Sequence, residues 1–443
     1  MHSQVEEWSS RWVFFMAATA TAVGLGNIWK FPFIVAQNGG GAFIALYLLC
    51  VMLIAVPLML SEVVLGYLGK SDPVRSVRHT ADASGASRLW ACIGLLGPLA
   101  GLLIITLLTV VSAWAISYFF AVLDGEFVDA SHQVISDKFD WVKSDSQSLL
   151  FYQSAFLLCV ASILGMNVNR GLKRALLFLV PSSIALLLIL IAQAFNSGDT
   201  RATYDILFTP MPEKLGLQAL LLALEHAFYT LSVGIGALLV FGAYMPKRSS
   251  VGLIVIGVAM LDTLIALLAG FVVVPPLLAS GLPMSTGFDL LFVALPFAHG
   301  DMTDGVFLGS VFFLFVIMMA FSSALVLLEP AVAWCAKSLS MGRTSAAIVV
   351  VFNVWLLAMA CWGAWNITFV EHSLFALLNG LSANVLLPLS ALCIALYTGW
   401  VLKPNIVRQR IEHSGVAALY LWYFLLRYLV PPALLYILVA RLV

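Results

Sequence analysis

The stretch Ala20-Thr-Ala-Val-Gly-Leu-Gly-Asn-Ile-Trp-Lys-Phe-Pro32 constrains this chain more than any other. It lies inside a hydrophobic segment long enough to cross a membrane, yet it holds two glycines, an asparagine and a lysine and ends on a proline. In hydrocarbon a broken helix survives only where its freed backbone groups are buried in protein or line a polar cavity. The segment therefore reads as two half-helices whose junction binds something polar. Composition sets the surroundings. Hydrophobic residues make up 62% of the chain and charged ones 10%, against roughly a quarter charged in a soluble globule. This is the composition of a multi-pass membrane protein.

A span needs about 20 predominantly apolar residues. On that rule the chain divides into eleven, near 11–36, 42–68, 89–123, 149–165, 172–195, 217–244, 250–279, 305–336, 346–365, 373–402 and 416–442. Lys70, Arg75, Arg78 and Arg88 share one loop, and Arg170, Lys173 and Arg174 the loop two further on. Lys247 and Arg248, then Lys337 and Arg343, then Lys403, Arg408 and Arg410 continue the alternation. The positive-inside rule puts these loops in the cytoplasm, with the N-terminus inside and the C-terminus outside. The tail 1–10 lacks a signal-peptide pattern, so the first span is expected to serve as its own insertion signal. The outer loop contains Phe288–Pro296, an apolar run too short to span and expected to be a re-entrant or capping helix. Six single cysteines (50, 92, 159, 335, 361 and 393) have no metal or redox spacing. No basic run suggests nucleic acid, and no metal cluster or nucleophile motif suggests an enzyme.

Val23-Gly-Leu-Gly26 interrupts the first span and Ser232-Val-Gly-Ile-Gly236 the sixth. An odd offset of five spans makes the second unit enter from the opposite side, which is an inverted repeat. One such segment is equally a close-packing device. A matched pair in two halves points to a midplane transport site.

Trp8-x-x-Arg11, Ala22-Val-Gly-Leu-Gly-Asn27, Phe31-Pro32 and Asn38-Gly-Gly-Gly-Ala-Phe43 resemble the neurotransmitter:sodium symporter family. So do Pro57-Leu-Met with Glu62, Thr230-Leu-Ser232 with Gly234 and Gly236, and Ser322-Ser323 before Leu327-Leu-Glu329. The matches keep the family's order across essentially the whole chain. The resemblance implies an all-α polytopic membrane protein with 11 transmembrane helices, a LeuT-type 5+5 inverted repeat with broken helices 1 and 6. Its parts would be a cytoplasmic tail 1–10, a first repeat 11–195, an extracellular-side connection 196–216, a second repeat 217–402, and a cytoplasmic loop with the eleventh helix, 403–443. It further implies a bacterial-type, sodium-coupled symporter in the cell (inner) membrane. The solute would be a small molecule, with the lipid bilayer as surroundings and a homodimer left open.

Carried over residue by residue, the first sodium site takes the Ala22 carbonyl, Asn27, Thr230 and Asp262. The second takes the carbonyls of Ala20, Val23 and Met319 with the hydroxyls of Ser322 and Ser323. The substrate would lie among Thr21, Ala22, Gly24, Leu25, Gly26, Ile104, Leu108, Val111, Tyr229, Thr230, Ser232, Ile235, Ser323 and Leu327. Gly24 stands where monoamine carriers have an acid, which favours a solute bringing its own carboxylate. Leu108 replaces the family tyrosine that hydrogen-bonds that carboxylate, at a cost of about 1.5–3 kcal/mol.

Asp262 interrupts an apolar span, where an acid costs about 2.5–3.5 kcal/mol on insertion scales. With Tyr47 present and Ala266 where some relatives have Glu, Asp262 is expected to supply the site's negative charge, so that chloride is not required. His226 is expected to neighbour Asp262 and make transport pH-dependent; a packing histidine is the equally weighted alternative. Lys30 takes the outer-gate arginine's place, with Tyr229 as the gating ring and Asn379 where its acidic partner would be. The resulting expectation is an importer of an apolar or aromatic amino acid coupled to two sodium ions. A different carboxylate solute and a non-transporting sodium sensor are the alternatives.

Overall fold

The structure is a computed structural model and describes residues 7–8, 10–197, 200–246, 250–282, 287–363, 368–369, 372–410 and 416–442. Most of the tail 1–10, Lys247 and Arg248 lie outside them. The first hydrophobic segment is broken as its sequence demands. Helix α1 (Arg11–Ala22) and helix α2 (Gly26–Gln37) meet at a bend of 51°. Leu25 opens α2 with no side-chain cap, and Pro32 lies past its first turn.

Helix α3 (Gly41–Gly69) carries a π-helical turn at Val51–Ala55, one residue before Pro57 enters the helix. A short amphipathic helix α4 (Pro73–Ser84), capped by Asp72, precedes α5 (Arg88–Leu123). Then come α6 (His132–Ser144), α7 (Ser146–Gly165), α8 (Leu172–Ser197) and α9 (Thr200–Phe208). The sixth segment is broken too. Helix α10 (Leu217–Thr230) and helix α11 (Ala237–Tyr244) flank the interval 231–236. There Ser232, Gly234 and Gly236 take φ of 50°, 95° and 80°, the left-handed region open chiefly to glycine.

Helix α12 (Val251–Ala279) leads to α13 (Leu290–Gly300), a short apolar helix that packs on α6, α12 and α14 (Gly305–Ser338). The chain ends through α15 (Arg343–Gly363), α16 (Leu374–Val401), α17 (Pro404–Arg410) and α18 (Ala417–Arg441). Thr368–Phe369 and His372–Ser373 form a two-residue antiparallel ribbon before α16. Among the described residues nine helices are long and apolar enough to cross a membrane, and the bent α1–α2 pair makes a tenth. The α10–α11 pair occupies the remaining segment read from the sequence; neither half is long enough to count alone.

Packing places both breaks at the centre. Helix α1 contacts α8, α11, α12 and α14, and α3 runs alongside both α10 and α11. The α3–α11 approach depends on glycine. A Cβ on Gly66 would overlap the Leu239 carbonyl, and one on Gly242 the Val63 carbonyl. On α5, a Cβ at Gly97 would sit 2.8 Å from the Gly234 oxygen, and one at Gly101 would sit 2.9 Å from the Leu327 oxygen. This glycine face lets α5 lie directly on the second break and on α14.

Candidate ion and solute site

An α-helix leaves its last carbonyls without intrahelical donors, and α1 ends where that matters. The Thr19 carbonyl accepts the Val23 N–H at 2.8 Å, and the Thr21 carbonyl accepts the Ser232 hydroxyl at 2.7 Å. The carbonyls of Ala20, Ala22 and Val23 accept no hydrogen bond among the described residues. These are three of the four carbonyls expected at the two sodium sites, that of Met319 being the fourth. The Ser232–Thr21 bond also ties one break to the other, a structural use of two residues expected beside the solute.

Side-chain oxygens converge at the same place. Asn27 Nδ2 donates to Asp262 Oδ1 at 2.7 Å, and Thr230 Oγ1 lies 2.9 Å from Asn27 Oδ1 and 2.7 Å from Asp262 Oδ2. All three residues are buried, and Asp262 has no exposed surface. The cluster joins α2, α10 and α12 through residues 235 and 203 positions apart in sequence. A cation entering between these oxygens would be met by charge and by ligands that need little rearrangement.

Four residues of the second set, without Ser323, line one cavity. This cavity of about 20 Å³ is lined by Ala20, Val23, Met319 and Ser322, with side chains of α8 and α12 closing it. Ser322 Oγ donates to the Met319 carbonyl at 2.9 Å, so hydroxyl and carbonyl already face each other. Ser323 follows on α14, half-buried.

Beside the first break, a Cβ at Gly24 would touch only the Ala22 carbonyl, at 3.9 Å, and one at Gly26 would touch nothing within 4 Å. Leu25 is buried. Ile104, Leu108 and Val111 follow Gly101 at helical spacing on α5, and Gly101 abuts Leu327 and Ile235. These apolar residues thus belong to one face next to the gap. Leu108 packs among hydrophobic side chains. Thr21 turns its hydroxyl back to the Ala17 carbonyl at 2.9 Å.

Two of the expected residues sit beside groups that the sequence did not point to. Lys30 lies over the Tyr229 ring, 6.0 Å from its centroid, and Tyr229 Oη donates to the Ala383 carbonyl at 2.7 Å. Asn379 is exposed, one turn earlier on α16, with no hydrogen bond to Lys30 among the described residues. The contact from α10 to α16 therefore runs through the Tyr229 phenol and a backbone carbonyl. His226 makes no hydrogen bond to Asp262 either. It stacks on Phe31 with centroids 4.9 Å apart and lies 5.5 Å from the Tyr47 ring. His226 Nε2 and the Tyr47 hydroxyl are both buried without a hydrogen-bond partner among the described residues. Ala266 is buried one turn beyond Asp262 on α12.

Some participants were missed from the sequence. Glu62, fully buried on α3, accepts the Gly234 N–H, while Ser390 Oγ donates to the Gly234 carbonyl at 2.7 Å. Together they hold the second break open. An acid inside an apolar span was the available signal, as at Asp262. Glu225, also fully buried, forms a two-pronged ion pair with Arg441 near the end of α18. Nothing local links those two in sequence.

The sodium:neurotransmitter symporter family model matches residues 5–155 and 144–443. An uncharacterized sodium-dependent transporter of Haemophilus influenzae is 26% identical over 100% of this chain and 99% of its own. A sodium-dependent neutral amino acid transporter of Homo sapiens is 27% identical over 54% of this chain and 36% of its own. The crystal structure of MhsT in complex with L-phenylalanine superposes with a TM-score of 0.87 at 31% identity, covering 98% of this chain and 99% of that one.

Proposed function

The chain belongs to the sodium:neurotransmitter symporter family, and from that premise we propose that it imports an apolar or aromatic amino acid together with two sodium ions. It is a multi-pass membrane protein and a sodium-dependent symporter, not an enzyme. The observation that carries the finer reading is the coincidence of two oxygen sets at one junction. The unpaired carbonyls of Ala20, Ala22 and Val23 lie at the end of α1, and the Asn27–Thr230–Asp262 cluster gathers beside it. The solute carboxylate would meet the first ion there and the N–H groups of Leu25 and Gly26, while Ile104, Val111, Ile235 and Leu327 would hold an apolar side chain. The space beside Gly24 and the apolar Leu108 both suit a solute with an uncharged body.

In this reading Asp262 supplies the fixed charge that makes chloride dispensable, with Tyr47 and Ala266 beside it. Lys30 and Tyr229 form the outer gate, and 11–195 and 217–402 act as opposed repeats with the N-terminus in the cytoplasm of the cell that makes it. The L-phenylalanine bound to MhsT supports the amino-acid class.

The test is a thermal-shift screen of the purified protein against the common amino acids in sodium gluconate and in potassium gluconate, followed by uptake into proteoliposomes. Sodium-dependent stabilisation by Leu, Met, Phe, Tyr or Trp, with uptake unchanged without chloride, is the expected result. Uptake abolished in chloride-free buffer would refute the role given to Asp262.

A further inference from the structure

Two threonines lie two residues apart in the last turns of α1, and they behave differently. Thr21 satisfies its hydroxyl on the Ala17 carbonyl, the ordinary habit of threonine in a membrane helix. Thr19 does not. It has no exposed surface, and its Oγ1 has no hydrogen-bond partner among the described residues. A buried hydroxyl left unmade is costly, and polar groups in this condition usually serve a ligand, an ion or a water.

The surroundings identify which. Thr19 lines the cavity of about 20 Å³ that Ala20, Val23, Met319 and Ser322 also line. A cavity needs about 10–15 Å³ to hold one water, so this one has room for a single small occupant. The Ser183 hydroxyl on its far wall is taken by the Leu179 carbonyl at 2.8 Å. Thr19 therefore contributes the uncommitted hydroxyl of α1 to this cavity. Five oxygens were assigned to the second ion from the sequence, whereas hard cations such as calcium and magnesium take six or more.

We infer that Thr19 Oγ1 is a sixth ligand of the sodium ion held by Ala20, Val23, Met319, Ser322 and Ser323. This rests on the two-sodium reading above and extends it to a residue that the sequence comparison did not mark. Thr19 sits on the wall of the site nearest the body of α1, so it would hold the ion against the half-helix that carries two of its carbonyl ligands. Sodium affinity at this site would then depend on α1 being in place.

The experiment measures sodium-dependent thermal stabilisation of the purified protein without solute, titrating sodium gluconate against potassium gluconate at constant ionic strength. Wild type is compared with Thr19→Val, Thr19→Ser, Ser322→Ala and Asn27→Ala, each first checked for monodispersity. Val keeps the branched shape and removes the hydroxyl, while Ser keeps the hydroxyl. The expected result is a five- to tenfold rise in half-saturating sodium for Thr19→Val and Ser322→Ala, with Thr19→Ser within twofold of wild type. If Thr19→Val stays within twofold while Ser322→Ala shifts, Thr19 is not a ligand and the two-sodium reading stands. If neither Ser322→Ala nor Asn27→Ala shifts the response, the two-sodium reading falls, and the role of Thr19 with it. Should Thr19→Val aggregate, the Thr19→Ser titration decides: a shift beyond twofold despite the retained hydroxyl overturns the assignment.

Discussion

At the scale of single residues, the candidate site is a set of oxygens fixed before any ion arrives. Asp262 accepts from both Asn27 and Thr230, and hydrogen bonds to a charged group contribute about 1.5–3 kcal/mol each. Asp262→Asn keeps the shape and removes the charge. Half-saturating sodium in a thermal-shift titration is expected to rise at least about tenfold, the equivalent of 1.4 kcal/mol. His226 tests a different idea. Its ring lies 5.5 Å from the Tyr47 ring, with Nε2 unpartnered and no hydrogen bond to Asp262 among the described residues, so a coupling to the acid would pass through that phenol. If it does, His226→Gln is expected to change the dependence of uptake on pH relative to wild type. An unchanged profile would leave His226 as a packing ring. Much of the candidate site was legible in the sequence because Asn27 and Asp262 are polar exceptions in apolar spans, while the serine pair gained weight only from its register with the rest of the family pattern. Thr19 was not legible, because a threonine in a membrane helix normally bonds its own backbone and carries no signal until its partner is seen to be missing.

Helices and their junctions come next. The breaks were readable from Gly24, Gly26, Gly234 and Gly236, which free the backbone where hydrocarbon would otherwise forbid it. What holds the broken halves was not readable, since it lies in partners far along the chain. The α10 half is pinned by Glu225 to Arg441 on α18, contacts separated by 216 positions. Glu225 is buried while the Arg441 side chain is partly exposed, so removing Arg441 leaves the Glu225 carboxylate without its ion-pair partner. Arg441→Ala should therefore lower the unfolding temperature markedly, and Glu225→Gln/Arg441→Met together should recover much of the loss. Equal destabilisation by the double variant would show that the pair contributes packing and not charge. The α11 half depends on close backbone approach instead. Gly242→Ala would drive a methyl into the Val63 carbonyl; its overlap with backbone admits no rotamer escape. Loss of folded protein on size-exclusion chromatography is expected, whereas Gly252→Ala, where a Cβ meets nothing within 4 Å, should be tolerated.

For the whole molecule, the question is how much work two ions can do. Moving one charge through 100 mV is worth about 2.3 kcal/mol, and a tenfold concentration ratio adds about 1.4. Two coupled sodium ions then supply roughly 7 kcal/mol, which corresponds to about 10⁵-fold accumulation of a zwitterion. One ion supports only some hundreds-fold. Proteoliposomes carrying a 100 mV potential and a tenfold sodium gradient should accumulate the solute far beyond the single-ion limit. Ser322→Ala, weakened at one site, should fall toward it at low sodium. The multi-pass helical class follows from the spacing of apolar runs, whereas the repeat architecture built on its broken helices came with the family resemblance. The partner of the Tyr229 hydroxyl was not legible: it is the Ala383 backbone carbonyl, for which side-chain identity carries no information.

The π-helical turn at Val51–Ala55 has a mechanical meaning in this setting. Helix α3 lies along α10 and α11 and spans the interval between them like a splint across a fracture, with its one irregular turn against α10. A splint that was regular throughout would lock the two pieces; one that carries a wide turn beside the fracture can flex with it. The broken segment and its splint therefore pack as one unit, and a turn of five apolar residues in α3 would help set how far its two pieces can move apart.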